Sequence, residues 1–122
     1  MTTLLPWLSV TDAAAAVRFY VEAFGAVVVQ QLEHDDVVEV ACLQVGGAEF
    51  WVQRSDDPVD GSTVRMIMEL EEPDVVFEPA VAAGATVLAS MHDDHGWRTG
   101  RLRDPTGLQW EPARRLHSPD QT

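Results

Sequence analysis

The sequence predicts an α+β fold of two tandem β-α-β-β-β modules, their strands forming a curled mixed sheet with a concave ligand cavity. An internal repeat predicts it first. At an offset of about sixty residues, Phe24-Gly25-Ala26 falls on Ala83-Gly84-Ala85, Gly47 on Gly107, and Phe50-Trp51 on Trp110-Glu111. The apolar periodicity within each repeat is the second observation: it switches from strand to helix and back. The third is punctuation, with Gly, Pro and Asp at the segment ends. Each module alone has too little core to stand by itself. The modules span residues 4–54 and 63–113, joined by a polar linker at 55–62 and followed by a polar tail at 114–122.

Residues 4–10 are extended, with Pro6 tolerated near a strand start. Leu5, Trp7 and Ser9 share one face. Thr11 or Asp12 caps a helix over 13–23, where Ala15, Ala16, Phe19, Tyr20 and Ala23 recur at helical spacing and Gly25 stops it. The β-branched run 26–32 is a strand, and His34-Asp35-Asp36 is a turn. A strand over 37–45 and another over 49–53 flank the Gly46-Gly47 hairpin turn. In the second module, strands are predicted over 64–70 and 86–91, with a helix between them from Pro73 to Gly84. Pro79 must kink that helix or delay its start. Residues 92–96 read as a polar loop. A closing hairpin over 97–103 and 108–112 turns at Asp104-Pro105-Thr106-Gly107, where Pro presets φ and Gly ends the turn. The tail from Arg114 is predicted to fray.

The chain has 122 residues and a formal net charge of −12, from 20 acidic and 8 basic residues, all of the latter arginine. A surface this acidic argues against nucleic acid and against an anionic membrane. It suits solubility and would attract a cation. The lone cysteine, Cys42, excludes an intrachain disulfide and fits a reducing cytoplasm. No signal peptide or membrane-spanning run is expected, so the predicted location is cytoplasmic.

With these elements in place, the chain resembles the vicinal oxygen chelate superfamily, which includes glyoxalases, bleomycin-resistance proteins and extradiol dioxygenases. The resemblance is carried by Val10-Thr11-Asp12, Val17-Arg18-Phe19-Tyr20 and Ala23-Phe24-Gly25-Ala26 in the first module. In the second it is carried by Ala82-Ala83-Gly84-Ala85 and by Gly100 through Glu111. It covers residues 4 to 113. The family's metal enzymes place ligands in the first and last strands of each module. Carried over, those points are Leu5, Arg65, Phe50 or Trp51, and Glu111. Only Glu111 can bind a divalent cation, and a typical site needs roughly three protein ligands. The resemblance therefore implies no metal and no cofactor. His34, His92 and His95 lie in turns and His117 in the tail; the His92-Asp93-Asp94-His95 run reads as a solvated loop.

Strand parity gives the cavity its lining. Leu5, Trp7 and Ser9 face it, as do Arg65, Ile67 and Glu69, then Gln109 and Glu111. Glu49 and Trp51 join them if the repeat offset holds, and Phe50 instead if the family spacing holds. Trp97 stands near the rim. Trp110 faces the helix. Arg65 needs a partner, and Glu111 or Glu69 is the natural one. The expected ligand-binding set is Leu5, Trp7, Phe50, Trp51, Arg65, Ile67, Trp97, Gln109 and Glu111. The function read from this is a small-molecule binder similar to the bleomycin-resistance proteins, sequestering an aromatic or cationic ligand such as an antibiotic, as a homodimer. Two alternatives stay open: a glyoxalase-type metal-dependent lyase, isomerase or dioxygenase, and a metal-free enzyme using Glu111 as acid or base.

Overall fold

A computed structural model describes residues 2–58, 61 and 64–116. The chain divides into two compact units, Met1–Val59 and Asp60–Thr122. Part of the expected linker and tail, including His117, lies outside the described residues.

In the first unit, β1 (Trp7–Val10) leads into α1 (Ala13–Phe24), followed by β2 (Val27–His34), β3 (Val37–Val45) and β4 (Ala48–Arg54). The sheet order is β1-β4-β3-β2. The β1/β4 pair is parallel and the other pairs are antiparallel. A parallel pair needs a crossover, which the helix and the β2–β3 hairpin supply. Asp12 caps α1 by accepting a hydrogen bond from the Ala15 N–H at 3.0 Å. Gly25 ends it in the left-handed region at φ 67°; its N–H donates to the Val21 carbonyl at 3.1 Å and the Ala26 N–H to the Tyr20 carbonyl at 3.2 Å. One face of α1 lays Ala16, Phe19, Tyr20 and Ala23 on the sheet, where Leu8, Val10, Leu43, Phe50 and Val52 are buried. Tyr20 and Phe50 meet edge-to-face at 5.3 Å, a geometry that adds to simple area burial.

The second unit repeats the plan with β5 (Arg65–Glu69), α2 (Pro73–Ala82), β6 (Thr86–Asp94), β7 (Trp97–Arg103) and β8 (Gln109–Arg115). Its order is β5-β8-β7-β6, again with one parallel pair, β5/β8. The two sheets share a register rule: Trp7 pairs with Trp51 and Ile67 with Glu111, both shifted by the repeat offset. Phe77 and Ala80 of α2 are buried, as are Leu102 and Trp110. Gly100 allows this packing, because a Cβ there would sit 2.9 Å from the Phe77 ring.

Several boundaries differ from expectation. The first strand begins at Trp7, leaving Leu4 and Leu5 outside it and exposed. Residues 92–94 are strand, because Asp94 pairs with Trp97 across a two-residue turn. That turn, His95-Gly96, has positive φ at both positions, 51° and 82°, as a tight hairpin between twisted strands requires. Asp35-Asp36 solves the same problem in the first unit, at 51° and 63°. The last strand runs on to Arg115, held by pairing with Trp97, so the tail does not fray at Arg114. The second helix starts at Pro73 and runs through Pro79, giving up the bond that residue would have donated to the Val75 carbonyl.

The closing turn is fastened from inside. Asp104 is only 3% exposed. Its carboxylate accepts from the Thr106 N–H and hydroxyl, from the Leu108 N–H at 3.1 Å and from the Trp110 indole N–H at 2.8 Å. The Gly107 N–H donates to the Asp104 carbonyl at 2.9 Å, and Gly107 sits at φ 98°. One aspartate thus fixes the turn and the ring of Trp110, whose side chain is buried on the helix side of the sheet.

Candidate functional site

Each unit has one sheet face against its helix and one face turned away from it. In the first unit, parity sends Phe50 and Val52 to the helix and Glu49, Trp51 and Gln53 to the open face. The Gly46-Gly47 hairpin sets this register by pairing Val45 with Ala48 and Leu43 with Phe50. Phe50 is therefore removed from the expected binding set: it is core, 5% exposed and packed on Tyr20. Trp51 takes the open position. The parallel β1/β4 ladder sets Trp7 directly beside it. The two rings stack with centroids 5.8 Å apart and planes 22° from parallel. The Trp7 indole N–H donates to Gln53 Oε1 at 2.9 Å, which holds the outer ring in place. Trp7 stays 52% exposed. Two large rings at low entropic cost form a flat platform for another ring or a cation.

Beneath the platform, Cys42 pairs with Trp51 on the same face and is buried. Burial pushes its thiol above the ordinary range, and the Glu49 carboxylate adds to the effect. A thiol so shielded is a poor nucleophile. Leu5 precedes the strand; its neighbour Pro6 accepts the Trp51 N–H at 2.9 Å.

The open face of the second unit carries charge. Arg65 Nε lies 3.0 Å from Glu111 Oε1, forming the pair expected for Arg65. Thr99 donates its hydroxyl to Glu111 Oε2 at 2.8 Å, so both carboxylate oxygens are engaged. The Glu111 side chain is 19% exposed and that of Arg65 44%. Ile67 is exposed beside Glu111, and Gln109 stands between Arg65 and Arg103 in register. Further along, Arg115 lies over the Trp97 ring at 5.0 Å and 3.4 Å from Glu69. Glu69, Arg114 and Arg115 also border an open groove of about 450 Å³ with Leu70 and Glu71.

The donor set does not fit a divalent metal. Leu5 has no donor atom, Trp51 offers an indole, Arg65 is a permanent cation, and that cation occupies one oxygen of Glu111. Among the described residues no group of three or more His, Cys, Asp and Glu side chains could hold a metal ion. The His92–His95 run is dispersed rather than clustered. His92 Nδ1 donates to the Ser90 carbonyl at 2.8 Å, Asp93 pairs with Arg98, and Asp94 lies beside His95. Gln53, Thr99 and Arg115 were not expected. The alternation that selected Trp51, Glu111 and Trp97 also places these three on the open faces. Their hydrogen bonds depend on cross-strand register, which residue type alone does not reveal.

A sequence profile of the glyoxalase-like domain matches residues 7–111. This chain belongs to the glyoxalase-like family. Its architecture agrees with the vicinal oxygen chelate superfamily throughout. A Mycobacterium bovis protein is 33% identical over 132 residues, covering 93% of this chain and 86% of that protein. Among solved structures, TioX from Micromonospora sp. ML1 is 27% identical, with a TM-score of 0.80 over 95% of this chain and 100% of that one. A variant of the fosfomycin resistance protein FosX from Listeria monocytogenes, complexed with manganese(II) and a dihydroxypropylphosphonic acid, shares the fold. Its TM-score is 0.77 at 16% identity, over 99% of this chain and 97% of that one. The fold accommodates a metal in FosX, whereas three of the four positions carried over to this glyoxalase-like chain lack a donor and the fourth, Glu111, is paired with Arg65. No helix among its described residues is long and apolar enough to cross a membrane.

Proposed function

We propose that the chain is a metal-independent small-molecule binder that sequesters an aromatic or cationic ligand. The observation that carries this reading is the stacked Trp7–Trp51 pair, anchored by Gln53 and open to solvent. An exposed, pre-aligned pair of indoles contributes little to the core of its own unit but offers a planar ligand a rigid stacking surface. The chain's negative charge favours a cationic ligand at that platform, with Glu49 on the same face. The engaged oxygens of Glu111 support binding over acid–base turnover, since a general base must be able to reach a substrate proton. The antibiotic-resistance neighbour FosX makes antibiotics a sensible first ligand class.

A cytoplasmic homodimer completes the proposal. β2 is an edge strand with all eight residues exposed, including Val27, Val29 and Leu32. Such an edge favours a cover. Sedimentation at micromolar concentration should give twice the chain mass; a monomer would count against this part.

The binding proposal is tested by a thermal-shift panel of cationic glycopeptide and aromatic antibiotics. A compound at a hundred times its dissociation constant stabilises by about 2.7 kcal/mol. Trp7→Ala should weaken any such compound by tenfold or more while leaving the fold intact. Unchanged affinity in that variant would sink the platform reading. Turnover abolished by Glu111→Gln would instead favour the metal-free enzyme.

A further inference from the structure

The arginines are unevenly placed. The chain carries eight, against twenty carboxylates. Arg65, Arg101, Arg103 and Arg115 all stand on the open face of the second sheet. Arg103 pairs in register with Gln109, which pairs with Arg65. Arg101 pairs with Ala89 on the same face. Glu69 answers Arg115, and Glu111 answers Arg65. Among the described residues Arg101 and Arg103 have no ion pair. Around Gln109, three guanidiniums therefore meet one carboxylate, in a chain that is otherwise strongly acidic. Concentrating like charge on one face costs free energy unless something of opposite sign comes to it.

We propose that Arg101 and Arg103, with Gln109 beside them, form an oxyanion site that takes a carboxylate or phosphoryl group. Arg101 and Arg103 are two residues apart on one strand, so their side chains leave the same face ~6.7 Å apart. Two guanidinium forks at that spacing converge on one anion, and each offers planar, bidentate donation. The Gln109 amide adds a neutral donor from the next strand. Arg65 holds the neighbouring Glu111, which would otherwise repel an incoming anion. The other acid on this face near the arginines, Glu69, is occupied by Arg115, and Asp94 stands at the far end of β6 beside Trp97. The site lies on the second unit alone, adds an acidic ligand class to the small-molecule reading, and does not depend on the tryptophan platform.

The test follows the arginine Nε–H resonances by NMR at low salt, with inorganic phosphate, benzoate and neutral benzamide as probes. Phosphate or benzoate should move the Arg101 and Arg103 signals saturably, and benzamide should not. A response to phosphate alone assigns a phosphoryl site, and a response to benzoate alone a carboxylate site. The double variant R101Q/R103Q should bind the active probe at least tenfold more weakly, with an unchanged Trp110 indole signal, held by Asp104 in the same unit, reporting an intact fold. Absence of saturable shifts with both anions overturns the site, as does undiminished affinity in the double variant. Failure of the tryptophan platform would be read separately, from undiminished affinity of Trp7→Ala for compounds of the antibiotic panel.

Discussion

Replacing Asp104 by Ala should cost the chain about 3–4 kcal/mol. The substitution removes a carboxylate that is 3% exposed and accepts hydrogen bonds from Thr106, Leu108 and Trp110. The Thr106 donors are only partly buried and can turn to water, so their loss costs little. The Leu108 N–H and the Trp110 indole N–H are buried and have no such recourse. A buried donor stranded this way costs about 1–3 kcal/mol. Two of them, partly relieved by local relaxation, give the stated total. Domains of this size are stable by about 5–15 kcal/mol, so the loss is a large fraction. Urea unfolding followed by far-UV circular dichroism measures it, through a lowered midpoint at little-changed slope. Asp104→Asn should fall between Ala and wild type, because one oxygen remains to accept while the new NH₂ faces donors. A loss below about 1 kcal/mol for Ala, or an Asn variant equal to wild type, would refute the assignment of Asp104 as the turn's anchor.

Two further outcomes follow from ionisation. Hydrogen bonds from Arg98, at 2.7 and 3.1 Å, hold the Asp74 carboxyl below the usual carboxylate range. A depressed folded-state value means this contribution is fully present above about pH 4 and fades as pH falls through and below it. The stability difference between wild type and Asp74→Asn should therefore shrink from pH 6 towards pH 3, measured by urea midpoints; a constant difference would contradict the pairing. At Cys42, burial and then Glu49 raise the thiol. Labelling by a disulfide reagent at pH 8 should be slow in the folded chain and fast in urea, and fast labelling of the folded chain would contradict its placement beneath Trp51.

Much of this was legible in the sequence because the repeat constrains it twice. Gly47 and Gly107 lie in the equivalent hairpin of each unit, though the turns differ in length, and the β1/β4 and β5/β8 registers keep the offset that the glycines suggested. The sequence left Phe50 and Trp51 both open; the β3/β4 register puts Phe50 on the helix side and Trp51 on the open face. That Leu5 and Arg65 cannot ligate a divalent cation follows from residue type in any conformation. The strand ends at Asp94 and Arg115 were not legible in the sequence. Polar runs look like loops until a partner strand pairs them, and β7 pairs both. Nor was Thr99's bond to Glu111, nor the helix through Pro79, visible in residue type; packing outweighed the local cost there. The surplus of arginine around Gln109 emerges only when cross-strand neighbours are known.

The most direct measurement of the central claim is ligand-induced stabilisation of the chelator-treated protein, with and without added manganese(II), using the strongest compound from the antibiotic panel. The metal-independent reading predicts the same shift in both, and no manganese retained after dialysis. A shift that appears only with the metal, alongside stoichiometric retention, would contradict it.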